Sequence, residues 1–505
     1  MDAEHKAAWY EGVELPRYGE LDRNVRCRAA VVGAGITGLT AAMSLALAGA
    51  ETVVIDMGHV GWGTTGHSTG HLDSYYDGGY RRLSRRFGKE AAGRLIRAKR
   101  AAIDHIGMWV SEFGIDCDFV RVPGYLYSER QKDRTAEDEH EAAVEMDTAA
   151  ELVEPAPLSL VSGSALRLEG QGRFSPLKYV AGLARAFVER GGSIYESTRM
   201  HDLEDLHGLV RVRAGGYTVV AERLILAGHT SLVGKMTIQP RIYPMQSFVI
   251  AAEVGEQIKD ALYWDTESPY HYTRILSSDR PRTLIIGGAD RHTGSGGDMR
   301  QSFRELDEYA RRRYSVERIT HRWSHEFFEP ADGVPYAGRA PRTDNVYTAA
   351  AFSGDGLTLG TVSGLLAADL VLERENALAK ILSPERVKPL ASAGRVGKTL
   401  TGTLKHFVGD RLASYGDSAE DIEAGSGALI REQGKLYAVY KDAAGEVEVL
   451  SPVCRHMGCI VQWNNAAETW DCPCHGGRYD KHGNVIMGPP REPLEKAELP
   501  VAAEV

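Results

Sequence analysis

RAAVVGAGITGLTAAMSLALAGAETVVID, residues 28–56, changes its hydrophobic period twice. A short apolar run ending at Val32 reads as a strand, Gly33-x-Gly35-x-x-Gly38 as a turn, Ile36 to Ala48 as a helix, and ETVVID as a second strand closed by Asp56. The glycines let the backbone approach a pyrophosphate at the helix N-terminus, where unpaired N–H groups and the helix dipole favour negative charge. The Asp56 carboxylate is placed to accept hydrogen bonds from an adenosine ribose. Strand, turn, helix and acid in this order predict a dinucleotide site, with FAD and NAD both open at this point.

Composition bounds the rest. The chain has 505 residues, a hydrophobic fraction of 43% and a net charge of -10, which suits two or three ordinary domains and gives no sign of a nucleic-acid partner. Its start, MDAEHKAAWYEGVELPRYGELDRN, has no basic region followed by an apolar core and no twin-arginine signal. No run approaches the roughly 20 apolar residues of a membrane span. A cytoplasmic location without a membrane span is the expectation, and an oligomer is neither required nor excluded. Cys27 and Cys117 are isolated in sequence, which predicts buried, inert thiols.

The other four cysteines crowd into CRHMGCIVQWNNAAETWDCPCHGGRYD, residues 454–480. Cys454-x-His456 and Cys472-x-x-His475 suit a metal site built from two turns. A Cys2His2 zinc site accepts the same ligand types, but zinc fingers place a cysteine pair before a histidine pair. Mixed pairs match two cysteines on one iron of a 2Fe-2S cluster and two histidines on the other.

With CRHMGC as first box and CPCHGGRY as second, the segment from 417 to 505 resembles the Rieske domain family. That resemblance implies Cys454 and Cys472 on one iron, His456 and His475 on the exposed iron, and a disulfide between Cys459 and Cys474. Gly477 stands where respiratory members carry a serine that bonds a cluster sulfide, whereas Tyr479 matches a tyrosine that bonds a ligand sulfur. The expected potential therefore lies inside the Rieske range of roughly -150 to +300 mV, below the respiratory members and above the ring-hydroxylating oxygenases.

A second element favours FAD. GDGLTLGTVSGLLAADLV, residues 354–371, is a glycine-rich turn opening a helix after the strand NVYTAAAF. It resembles the C-terminal flavin-binding element of the D-amino acid oxidase and sarcosine oxidase superfamily, in which a helix N-terminus stabilises negative charge on the flavin pyrimidine. Segments DGVPYAGRAP, RFSPLKYVAGLARAFVERGGSIYE and RLILAGHTS follow the same superfamily in order, so the likeness spans residues 25 to 375. It implies flavin contacts from Gly354 and Gly356.

GTTGHSTGHL, residues 63–72, resembles the element of dimethylglycine and sarcosine dehydrogenases whose histidine is bonded to the flavin 8α-methyl. Thr64 and Thr65 fall at flavin-contacting positions and His67 at that histidine. Gly66, Ser68 and Thr69 depart from the pattern, leaving covalent attachment and a noncovalent contact both open. Asp355 and Thr358 stand where monomeric sarcosine oxidases carry histidine and lysine, which favours a dehydrogenase over an oxidase.

Substrate contacts are expected from YHYTRIL and WSHEFFEPADG. Arg274 is the candidate clamp for a substrate carboxylate, because a guanidinium matches it bidentately. Tyr270, Tyr272, His292 and His325 are candidates to orient an amine or take its proton, with Asp355 beside the flavin. Between the redox modules, Val396, Leu400, Leu404, Phe407, Val408 and Leu412 recur at helical spacing among basic residues, predicting an amphipathic linker helix.

The expected fold is α/β, a Rossmann-like FAD domain with an inserted mixed-sheet substrate domain over 1–380, then a linker over 381–416 and a small all-β Rieske domain over 417–505. The expected function is an FAD-dependent dehydrogenase that oxidises an amine or amino-acid derivative and sends electrons through the cluster to an external carrier. Two alternatives stay open: reverse flow from an external reductase, and a non-enzymatic relay or redox sensor.

Overall fold

Strand Val25–Val32, helix Ile36–Leu47 and strand Thr52–Ile55 follow one another as the opening stretch predicts. The computed structural model describes residues 5–130, 133–154, 163–230, 238–386, 415–416 and 418–500. Val25–Val32 lies between parallel neighbours, Thr52–Ile55 on one side and Tyr217–Leu226 on the other. Its last four residues are all buried, which is why this end of the strand reads as a continuous apolar run and does not alternate. Val346–Ala350 and Ser193–Tyr195 extend the parallel set, and Tyr336–Arg339 closes one edge antiparallel.

A second, mixed sheet of nine strands stands beside the first. At its edge, strand Val316–Pro330 pairs along its whole length with Ile242–Val254. This long edge strand positions the site described below. The C-terminal part consists of a three-stranded sheet, Ser426–Glu432, Lys435–Lys441 and Val447–Leu450, and a four-stranded sheet, Gln462–Asn464, Thr469–Asp471, Arg478–Asp480 and Val485–Met487. No helix among the described residues is long and apolar enough to cross a membrane. Cys27 and Cys117 are buried, and burial pushes each thiol up to about 12, so neither is a reactive nucleophile.

The amphipathic helix expected over 396–412 lies outside the described residues. Before it, the chain stays packed on the N-terminal part beyond the expected boundary at 380. Arg386 donates from Nε and Nη2 to the two carboxylate oxygens of Asp332 at 2.8 and 2.9 Å, donates to the carbonyls of Pro335 and Leu382, and stacks over Tyr336 at 3.9 Å. Both partners of the pair are buried. Arg386→Ala strands the Asp332 carboxylate, so we expect a loss of about 3–5 kcal/mol in urea unfolding, with Arg386→Met/Asp332→Leu recovering much of it.

Candidate active site

The Gly33 turn needs glycine for two reasons. Gly33 has φ +114°, and a Cβ there would sit 2.6 Å from the Ala227 carbonyl; a Cβ on Gly38 would sit 1.9 Å from the Gly33 carbonyl. The helix can therefore press against the turn only with these residues. Thr65 completes the cradle, its Oγ1 accepting the Ile36 N–H at 3.1 Å. Asp56 accepts from Ala34 N–H at 2.6 Å and Gly58 N–H at 2.8 Å, while burial pushes its pKa up.

These groups line one cavity. Gly33, Gly35, Asp56, Thr64 and Thr65 form one end, and Gly354 and Gly356, at the start of helix Gly356–Val371, contribute at another. Thr64 donates to the Glu326 carbonyl at 3.0 Å and lies 3.3 Å from His229, a cavity residue not singled out from the sequence. A chain of backbone cradle, acid and helix N-terminus fits the pyrophosphate, ribose and isoalloxazine of FAD.

His67 bears on the two alternatives left open for it. It is absent from the cavity wall: its Nδ1 donates to the Gly63 carbonyl at 3.0 Å, its ring packs on Tyr10, and its own carbonyl accepts from Trp323 at 2.8 Å. That is the setting of a structural histidine, and it favours the noncovalent alternative of the two left open by the sequence.

A second, smaller cavity adjoins the first and shares Ser68, His325, Phe327 and Gly354 with it. It brings together Tyr270, Tyr272, His325 and Asp355, four of the sequence candidates. His292 does not line it and packs on Tyr243. Arg274 does not line it either: the side chain is fully buried and donates to the carbonyls of Thr69, Ile275, Leu276 and Phe174 at 2.7 to 3.1 Å. A guanidinium committed to backbone carbonyls cannot clamp a substrate, so the carboxylate-clamp expectation is wrong for this residue. The planar fork does meet oxygen acceptors, but they are backbone carbonyls.

The residue missed was Lys99. On the long helix Lys89–Glu112 it is fully buried, 3.0 Å from Asp73 and 2.7 Å from Asp355. Burial opposes its charge, but Asp355 and Asp73 overcome that and hold its pKa above the ordinary lysine value. Nothing in the sequence distinguishes it from Arg97 and Arg100 nearby. Asp355 thus faces a cation of its own, while burial and Asp77 push its pKa up.

The two ligand boxes at the C-terminus fold alike. In the first, Cys454 N–H donates to the Cys459 carbonyl at 2.8 Å and Gly458 N–H to the Cys454 carbonyl at 3.0 Å; in the second, Cys472 donates to Gly477 and Gly476 to Cys472 at 2.8 and 3.1 Å. Gly458 and Gly476 take φ +81° and +68°, which explains the glycine four residues after the first cysteine of each box. A disulfide joins Cys459 to Cys474, and the two histidine rings meet edge to face with centroids 4.9 Å apart. Cys454 is pulled down to about 7 by its hydrogen bond with Cys472 and then by Tyr479, whose O–H lies 3.3 Å from the Cys454 sulfur. Paired thiols with one favoured as thiolate, beside two imidazoles, fit a 2Fe-2S cluster. A Cβ at Gly477 would come within 2.8 Å of Pro490, so the serine of respiratory members has no room here.

One strand separates the two centres. Along Val316–Pro330, His325 and Phe327 face the cavities; a Cβ on Gly476, beside the ligand His475, would lie 2.5 Å from the Glu326 carboxylate and 2.8 Å from Phe328. Alternation along a strand puts these pairs on opposite faces. Ile486, Met487 and Gly488 of the C-terminal part line the flavin cavity itself. Hydrogen bonds fix the contact: Asn464 to Gln246, Met299 N–H to Asn465, Arg199 to the Val485 carbonyl and Arg491 to the His201 carbonyl, at 2.8 to 2.9 Å.

A family model described as FAD dependent oxidoreductase matches residues 28–370. The chain belongs to the FAD dependent oxidoreductase family. A model of the Rieske [2Fe-2S] domain matches residues 416–498, so this family member binds FAD in its N-terminal part and a 2Fe-2S cluster in its C-terminal part. It is 29% identical over 97% of both chains to a protein of Bacillus subtilis (strain 168) named as a Rieske 2Fe-2S iron-sulfur protein, YhfW. It is 26% identical to the gamma-glutamylputrescine oxidoreductase of Escherichia coli (strain K12), over 81% of this chain and 99% of that one. Glycine oxidase from Geobacillus kaustophilus shares the fold, with a TM-score of 0.61 at 20% identity over 72% of this chain and 99% of that one.

Two outcomes test this oxidoreductase's site. Lys99→Met leaves two buried carboxylates without their cation, for an expected cost of about 3–5 kcal/mol in urea unfolding of the FAD-loaded protein, and adding Asp355→Asn returns part of it. Tyr479→Phe removes a hydrogen bond that stabilises the reduced cluster, so redox titration is expected to show a lower cluster potential with an unchanged iron content.

Proposed function

We propose that this flavoprotein is an amine dehydrogenase whose electrons leave through its own cluster to an external one-electron carrier. The observation that carries the reading is the single strand between the flavin cavity and the second ligand loop, together with a cavity wall supplied by Ile486–Gly488. Bound beside the Gly33 turn and Gly354–Gly356, FAD would supply acceptance of a hydride from a C–H bond beside a neutral amine nitrogen, with the resulting iminium open to hydrolysis, and a 2Fe-2S cluster held by Cys454, His456, Cys472 and His475 would supply one-electron transfer.

The chain's own residues arrange this chemistry. His325 sits where the two cavities join, and burial lowers its pKa to about 3, so it stays neutral and offers an acceptor nitrogen to an amine N–H. Tyr272 is held by Ser247 at 3.0 Å. Lys99, Asp73 and Asp355 leave no net positive charge at the start of helix Gly356–Val371, unlike the basic pair that the resembling sarcosine oxidases carry there. His475 is buried on the flavin side, whereas His456 is partly exposed beside the exposed Met457, which gives electrons an inner entry and an outer exit.

Anaerobic mixing with a panel of amines tests the reading. The expected result is flavin bleaching followed by the reduced-cluster EPR signal, at a rate that does not change with protein concentration. Bleached flavin beside a cluster that stays oxidised, or a rate that rises in proportion to protein concentration, would count against transfer within one chain.

A further inference from the structure

The cavity beside the flavin is lined by one sign of charge. Asp73, Asp77 and Asp355 are on its wall, with Asp290 bonded to Ser247 and Tyr270 behind it. Among the described residues no arginine or lysine lines it. The adjacent cation, Lys99, is already shared between Asp73 and Asp355, and Arg274 is spent on backbone carbonyls. Asp77 bonds the Gly354 N–H at 2.8 Å and has no cation of its own at ion-pair distance among the described residues. Burial pushes Asp77 up to about 6 against the opposing field of Lys99, and Asp290 up to about 7, with Glu329 adding its negative field to both.

An independent group points into the same space. His325 is 8% exposed, lines both cavities, and its Nδ1 has no hydrogen-bond partner among the described residues. Trp264, Tyr270, Tyr272 and Phe327 supply aromatic faces on the wall. Three carboxyls sharing one cation, π-faces and a neutral imidazole acceptor all favour an ammonium group. A substrate carboxylate would meet the same acids with no lysine or arginine on the wall to offset the repulsion.

We propose that this cavity takes a cationic amine that bears no carboxylate on the oxidised carbon, a diamine or polyamine in class, and not an amino acid. One nitrogen is held as ammonium by Asp77, with the negative field of Asp290 behind it, and the other is presented neutral beside His325. The inference deepens the dehydrogenase reading and rests on it for turnover, though not for binding.

Two matched probes separate the possibilities in the FAD-loaded full chain. Tert-butylammonium and pivalate have the same shape and opposite charge, and neither has a C–H bond on the carbon that bears the charged group. Titrated at neutral pH against the flavin absorption spectrum, the cation is expected to bind at least about tenfold more tightly than the anion, and Asp77→Asn/Asp290→Asn to erase about that factor. Pivalate binding as tightly as tert-butylammonium in the unaltered protein overturns the inference, whether or not the variant folds. Turnover is read with pairs that differ by one carboxylate, cadaverine against lysine and putrescine against ornithine. Bleaching led by the diamines supports the substrate class. Bleaching led by the amino acids overturns the class and leaves the dehydrogenase reading intact. Cation-selective binding with no bleaching by any of the four supports the cavity's charge selection and removes the dehydrogenase reading instead.

Discussion

The strand Val316–Pro330 carries two centres at once, because alternate side chains on a strand must face opposite ways. His325 and Phe327 belong to the flavin cavities, and Glu326 and Phe328 to the contact with the second ligand loop. Much else follows from this shared wall. The Gly476 turn must lack a side chain, since Glu326 already fills the space a Cβ would take. The C-terminal domain must dock in one orientation, since Ile486 to Gly488 complete the flavin cavity. Polar contacts at Asn464, Asn465, Arg199 and Arg491 hold that orientation at several separated points.

Such a fixed arrangement suits the mismatch between the two redox groups. A flavin exchanges electrons with carbon in pairs, while a 2Fe-2S cluster exchanges them one at a time, so a permanent neighbour serves better than a partner met by diffusion. Burial of His475 against the flavin domain leaves His456 as the outward face of the cluster. The missing serine at Gly477 belongs to the same packing: Pro490 occupies the place its side chain would need. The Cys454 sulfur keeps the Tyr479 contact, and Gly477 offers no hydroxyl for a second.

How much of this was legible depended on whether backbone or tertiary packing imposed the residue. Gly33, Gly38, Gly458 and Gly476 are demanded by local geometry, and the cysteine and histidine boxes by ligand chemistry, so both centres could be read from short motifs. Arg274 shows the limit. Its guanidinium is a fork for two oxygens, and sequence does not say whether those belong to a substrate or to the carbonyls of Thr69 and Phe174. Lys99 was illegible for a different reason: it is one of several basic residues on a long helix, and only the fold turns it inward toward Asp73 and Asp355. His67 matches a motif whose flanking residues have changed, and in the structure its ring packs on Tyr10 and bonds the Gly63 carbonyl.

The buried charges around Lys99 argue for function on energetic grounds. Removing Lys99, Asp73 and Asp355 from water costs several kcal/mol per ion, and a well-packed apolar substitute is often as stable or more so. A fold selected for stability alone has little use for a lysine flanked by carboxylates in its core, with Asp77 and Asp290 close by and outside any ion pair among the described residues. Perturbed groups gather where chemistry or recognition needs them. Here they gather on the wall of the cavity that opens onto the flavin, and the surplus is negative. The charge that completes this set is positive, and in the architecture described it is the ligand that brings it.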